Sequence, residues 1–172
     1  GLSTEVLKRI FGKNVTRIMI SGPDSLFEEN SIAAMCPYNF SADYILKEMG
    51  ISIISINNEK ELDAFTVGVC LPVILLSYIN KKDTKDVEYA VEKLESFYPW
   101  FLKVYLWSKK VIPVFSSEAE TKEYVFNMAK KGGIADAVIE DLKLGNDFLT
   151  AINNGIRRSQ EITKNMNKLV GH

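Results

Sequence analysis

The residues best suited to chemistry are Met128-Ala129-Lys130-Lys131-Gly132-Gly133-Ile134-Ala135. Two glycines end a polar segment, and Ile134, Ala135, Val138, Ile139 and Leu142 then recur at helical spacing, which predicts a helix starting at the glycines. A helix opened by Gly-Gly turns backbone N–H groups toward whatever approaches, and without a Cβ on either residue the approach is close. Carboxylates and phosphates gain from the partial positive charge of such a helix start, and Lys130 and Lys131 add to it. The alternative is that Gly-Gly only makes the turn and both lysines are solvated. Histidine chemistry is excluded, because the single histidine is the final residue, His172. Cys36 and Cys70 lie in apolar surroundings without paired spacing, so neither a disulfide framework nor a metal site is expected and a reducing cytoplasm is the default compartment.

The elements that must position these residues follow from patterning. Gly145 closes the Gly-Gly helix, and Asn146 is placed to cap a long one with Leu149, Ile152, Ile156, Ile162, Met166 and Leu169 as its apolar stripe. Upstream, Ser3 or Thr4 caps a short helix that ends at Gly12. Val15 to Ile20, Ile32 to Cys36 and Ile51 to Ile56 read as strands, and Asn39 or Ser41 caps a helix running to Met49. Leu62 to Ile79 is apolar on nearly every side, but it is short for a bilayer and contains Pro72, which favours a buried, kinked helix over a span. The 80–83 segment is then a loop, and Asp83 or Thr84 caps a helix that Pro99 bends or restarts; its aromatic residues read as packing rather than as a ligand wall. Val111 to Phe115 has strand character, and Ser116 or Ser117 caps a helix running toward Met128 with Glu118 and Glu120 in its first turn.

Composition sets outer bounds. The 172 residues are 47% hydrophobic and 25% charged with a net charge of -1, which fits a globular chain and gives no electrostatic reason to expect nucleic acid or an anionic membrane as partner. No basic-then-apolar leader opens the chain and residue 1 is glycine, so the expectation is a piece of a longer protein.

Aligned without gaps, residues 130–149, Ala151-Ile152 and Arg157-Arg158-Ser159-Gln160-Glu161-Ile162 resemble the C-terminal signature of pyrroline-5-carboxylate reductases. In that family a Ser-Pro-Gly-Gly-Thr-Thr turn opens a helix, a glycine break follows, and the last helix ends in an Arg-Ser-Lys-Glu-Leu-like run. Gly1-Leu2-Ser3 to Leu7, Val15-Thr16-Arg17-Ile18-Met19, Pro23 and Ala34-Met35-Cys36-Pro37 are similar to the family's stretches around Val-Arg-Val-Met-Pro-Asn-Thr-Pro and Ala-Leu-Cys-Pro. Asp63-Ala64-Phe65-Thr66 resembles the Asp-Ala-Val-Thr that opens its helical domain.

The resemblance implies the closing α/β remnant of a Rossmann-type dinucleotide-binding domain over residues 1–58. It further implies an all-α dimerisation and substrate domain of the 6-phosphogluconate dehydrogenase C-terminal type over residues 59–172. It implies a homodimer with interleaved helices and hydride transfer from NADPH or NADH to a cyclic imine carrying a carboxylate. The cofactor would be bound by the longer protein and not by this piece, which lacks the pyrophosphate-cradling glycines. The substrate carboxylate would lie at Gly132, Gly133, Ile134 and Ala135 with Lys130 beside it, and Glu118 would be the acidic pocket residue. Ser21, Gly22 and Pro23 would lie next to the cofactor. No catalytic side chain is assigned. The family's helix-start threonine is Ala135 here, its Ser-Pro is Lys130-Lys131, and its Ser-Gly-Ser-Gly-Pro is the shorter, apolar Gly68-Val69-Cys70-Leu71-Pro72. A lost hydroxyl bond to a charged group costs about 1.5–3 kcal/mol, so the substrate is expected to be altered. The alternative is a non-catalytic dimerisation or ligand-sensing protein on the same scaffold.

Overall fold

The computed structural model describes residues 1–12, 15–22, 25, 30–78 and 84–170. Pro23, Asp24, the loop expected over 80–83, the cap expected at Asp83 and His172 lie outside them. The chain forms two compact units, Gly1–Thr66 with Ser159–His172, and Val67–Arg158. The resemblance implies a division at 58/59; the division into compact units runs through two helices and joins the last turns of the chain to the sheet.

In the first unit, α1 (Thr4–Phe11) starts where the Ser3 hydroxyl accepts the Val6 N–H and ends at Gly12. The sheet is mixed and ordered β1-β2-β3. β1 (Arg17–Ile20) runs antiparallel to β2 (Ile32–Cys36), pairing Ile18 with Met35, and β2 runs parallel to β3 (Ser52–Ile53). Between β2 and β3 lies α2 (Phe40–Glu48), capped by the Asn39 side chain on the Ala42 N–H. Ile32, Ala33, Ala34 and Met35 are all buried, as expected of a central strand covered on both faces, and Ala33, Met35, Leu46 and Ile51 form the core beneath it.

The third strand is shorter than the apolar run over 51–56 predicts. Its last ladder bond is Ile54 N–H to Ala33 O (2.8 Å). Asn57 and Asn58 then hold the Glu61 carboxylate, and Asn58 Oδ1 accepts the Lys60 N–H, which turns the chain into α3 (Glu59–Gly68).

The second unit is helical. α4 (Leu71–Tyr78) is its centre, with Leu71, Pro72, Val73, Ile74, Leu75 and Tyr78 buried. Pro72 lies in its first turn, where no intrahelical N–H bond is lost, so the predicted kink is a break between two helices. α5 (Thr84–Phe97) packs on α6 (Phe101–Val111), while α6, α7 (Glu118–Met128) and α8 (Ile134–Lys143) pack on α4. No strand forms over 111–115. α9 (Phe148–Val170) is capped by Asp147, not Asn146: the Asp147 carboxylate accepts the Thr150 N–H (2.8 Å) and hydroxyl (2.7 Å), while the Asn146 side chain donates to Asp141.

One face of α9 buries Phe148, Ala151, Ile152 and Ile156, but Met166 and Leu169 are exposed, so the apolar stripe is covered only along its first half. Among the described residues no single helix is long and apolar enough to cross a membrane.

Candidate functional site

The Gly-Gly pair does start a helix. Gly132 has φ +77°, a conformation other residues adopt only with strain, and a Cβ on Gly133 would lie 2.8 Å from Lys130 O. Gly133 is the N-cap of α8 and has no side chain to satisfy the first turn. The glycine amides themselves are engaged. Gly133 N–H donates to Lys130 O (2.8 Å), and Gly132 N–H donates to the Asp136 carboxylate (2.8 Å). The amides of Ile134 and Ala135 take no partner among the described residues and remain as donors at the positive end of the helix. Arg158, on α9, clamps the turn by donating from Nε (3.2 Å) and Nη2 (2.8 Å) to Gly132 O.

Asp136 acts here as Glu120 does on α7. There Ser117 Oγ accepts the Glu120 N–H (3.2 Å), and the Glu120 carboxylate reaches back to the Ser116 N–H (3.1 Å) and hydroxyl. In both helices the third helical residue is an acid that satisfies a donor just outside the helix, a variant of the capping box. At α8 this places a negative charge beside the turn at which an anion would dock. An acid at that spacing is visible in sequence, whereas Arg158, 26 residues further on, has no local signal.

The other expected residues are distributed as follows. Lys130 and Lys131 are exposed at the turn, and Ile134 and Ala135 form the first turn of α8, with Ala135 buried. Glu118 opens α7, largely exposed, in an ion pair with Lys122 (2.9 Å). Helices α7 and α8 both pack on α4, so Glu118 and the Gly-Gly turn belong to the same unit.

In the first unit Ser21 is buried. Its hydroxyl accepts the Ile32 N–H (3.1 Å) and bonds Ser25 Oγ (2.7 Å), while Ser25 donates to Gly22 O (2.7 Å) and lies 3.3 Å from Ser31 Oγ. This serine network ties Ser21, Gly22 and Ser25 to the start of β2. The Ser21 hydroxyl is thus fully engaged within the protein.

Comparison with protein-family models, curated proteins and solved structures finds no match.

A further constellation in the first unit does not stand out in the sequence. Arg17 on β1 pairs with Glu59 (3.2 Å) and Asp63 (3.6 Å) on α3. Glu59 also accepts the Thr4 N–H (2.7 Å) and hydroxyl (2.6 Å), and Asp63 accepts from Ser159 and Thr163, each at 3.2 Å. Burial alone would push the Glu59 carboxyl up, but the Thr4 donors and the Arg17 guanidinium together hold it below its ordinary value. These bonds tie α1, β1, α3 and the end of α9 into one body. Among the described residues no cluster of His, Cys, Asp or Glu is arranged to hold a metal.

Proposed function

We propose that this chain is the C-terminal part of an NAD(P)-dependent reductase resembling pyrroline-5-carboxylate reductase. In this reading the mixed sheet is the closing part of a Rossmann-type domain and the helical unit is a dimerisation module. The substrate is a cyclic imine or related small carboxylate, altered from the one the family uses. The observation that carries the reading is the start of α8, where the Ile134 and Ala135 amides take no partner among the described residues and the N-cap, Gly133, has no side chain to offer them. Dimerisation is supported by α7, which buries none of its residues and exposes Phe126, together with exposed Phe97, Leu106 and Leu144 elsewhere in the unit.

The full-length protein, assayed with NADPH and NADH against a panel of cyclic imine carboxylates, is expected to oxidise the cofactor. Asp136→Asn keeps the side-chain shape and removes the charge beside the turn. Since charges at helix ends are worth about 0.3–1 kcal/mol, it is expected to tighten carboxylate binding roughly two- to five-fold. Inactivity across the panel overturns the reductase reading.

Two observations favour a second reading. The Asp136 carboxylate already holds the Gly132 amide, and Glu118 is engaged with Lys122, as expected of a dimerising or ligand-sensing protein on the same scaffold. Absence of NADPH fluorescence quenching by a full-length protein that is dimeric by light scattering would select it.

A further inference from the structure

The first unit contains an open cleft of about 510 Å³, lined by polar and charged residues, between α1, α3 and the last turns of α9. Arg9 comes from α1, while Gln160, Thr163, Lys164, Asn167 and Lys168 come from α9. Its walls are fixed by bonds already in place: the Ser3 N–H donates to Asn167 Oδ1 (2.9 Å), Thr4 bonds Glu59, and Thr163 bonds Asp63. Asp63 also lines the cleft, but Arg17 and two hydroxyls already hold its carboxylate. Arg9, Lys164 and Lys168 have no ion-pair partner among the described residues. Lys164 and Lys168 are one turn apart on the same helix, a spacing at which like charges repel, and Arg9 adds a third positive charge from the facing helix. A helix C-terminus accounts for basic residues in its last turn, but not for basic residues of two helices meeting in one cleft.

We propose that this cleft binds a phosphate-bearing small molecule, a mono- or diphosphate ester. A single carboxylate offers one charge to three cations, whereas a phosphate offers close to two and a diphosphate more. Two lysines as point charges and an arginine as a planar fork are the donors that recognise such oxygens. The volume lies within the usual range of small-molecule sites and exceeds what a bare phosphate fills, leaving Gln160, Thr163 and Asn167 to contact the esterified group. The proposal does not depend on the reductase reading, and it concerns a different unit from the Gly-Gly turn.

The test is calorimetric titration of the chain with inorganic pyrophosphate, inorganic phosphate and citrate at constant ionic strength. Pyrophosphate is expected to bind at a single saturable site and more tightly than citrate. Arg9→Gln and the double change Lys164→Gln with Lys168→Gln are each expected to weaken it about ten-fold or more. Lys130→Gln with Lys131→Gln, at the α8 turn, leaves it unchanged. Amide shifts on pyrophosphate addition are expected to fall within residues 160–168 and the end of α1, a readout in the unaltered protein that needs no variant. No saturable binding in the millimolar range, equal binding by the cleft variants, shifts confined to the α8 turn, or citrate binding as well as pyrophosphate would each overturn the proposal. Loss of reductase activity would leave it standing.

Discussion

Replacing Gly155 with alanine tests how α8, and with it the Gly-Gly turn, is held against α9. An added Cβ would lie 2.4 Å from Val138 Cγ2, a distance that real Cβ contacts do not show, and 3.4 and 3.5 Å from the Val67 methyls, which is close but tolerable. Val138 is fully buried in α8, and a valine in a helix has essentially one rotamer, so its methyl has nowhere to turn. Overpacking of this kind costs about 1–3 kcal/mol, and alanine returns about 1 kcal/mol over glycine inside a helix, so Gly155→Ala is expected to destabilise by up to about 2 kcal/mol. In a Val138→Ala background the offending methyl is gone, and the same change should stabilise by up to about 1 kcal/mol. Urea unfolding of the four proteins followed by circular dichroism gives the coupling, expected at about 1–3 kcal/mol. If Gly155→Ala has the same sign and size in both backgrounds, α8 and α9 do not meet as described.

Two further predictions concern polar anchors. The Glu59 carboxyl is held below its ordinary value of 4.5. The stability it contributes is therefore fully present above that value and is lost as pH falls through its depressed native value; acid unfolding profiles of Glu59→Gln should lack this part of the loss, and profiles parallel to wild type would remove Glu59 from the account. In the second unit Tyr78 donates its hydroxyl to the Asp86 carboxylate, which also accepts the Phe148 N–H (3.0 Å) at the start of α9. Burial first, and then Asp86, pushes the Tyr78 hydroxyl well above its ordinary value. Tyr78→Phe removes a bond to a charged group and should lower the unfolding free energy by about 1.5–3 kcal/mol in denaturant titration; a change below about 0.5 kcal/mol would show that the bond is not formed.

The features that were legible in sequence are those that a few adjacent residues decide. Ser3, Asn39 and Ser117 cap helices because a short polar side chain finds an amide three positions on, and Gly12 and Gly145 mark helix ends and Gly132 the turn before α8 because positive φ suits glycine. The α9 cap lies one position beyond the one the pattern predicts because Asn146 and Asp147 are both good caps, and only the fold sends the Asn146 side chain to Asp141. The strand over 51–56 is shorter than its pattern predicts because apolar, β-branched residues mark burial, whereas pairing with β2 stops at Ala33, ahead of the turn that Asn57, Asn58 and Glu61 build into α3. Nor does helical spacing show where a stripe stops being covered, as Leu169 at 77% exposure shows.

The same division runs through the candidate sites. Gly-Gly followed by helical spacing predicts a turn that presents amides, and the Ile134 and Ala135 donors are present there. Whether an external anion can use them depends on Asp136, four residues beyond Gly132, and on Arg158 from another helix, whose clamp on Gly132 O fixes the turn on the other side. Arg9 and Lys164 are 155 positions apart in the chain, so their convergence on one cleft is invisible to any window of local sequence. The charge at each site is thus set by tertiary placement: Asp136 adds a negative charge beside the α8 amides, while in the cleft Arg9, Lys164 and Lys168 outnumber Asp63, whose carboxylate shares Arg17 with Glu59. An anion is therefore expected to prefer the cleft to the turn in the unaltered chain, and removing the Asp136 charge should narrow that preference by strengthening the turn without changing the cleft.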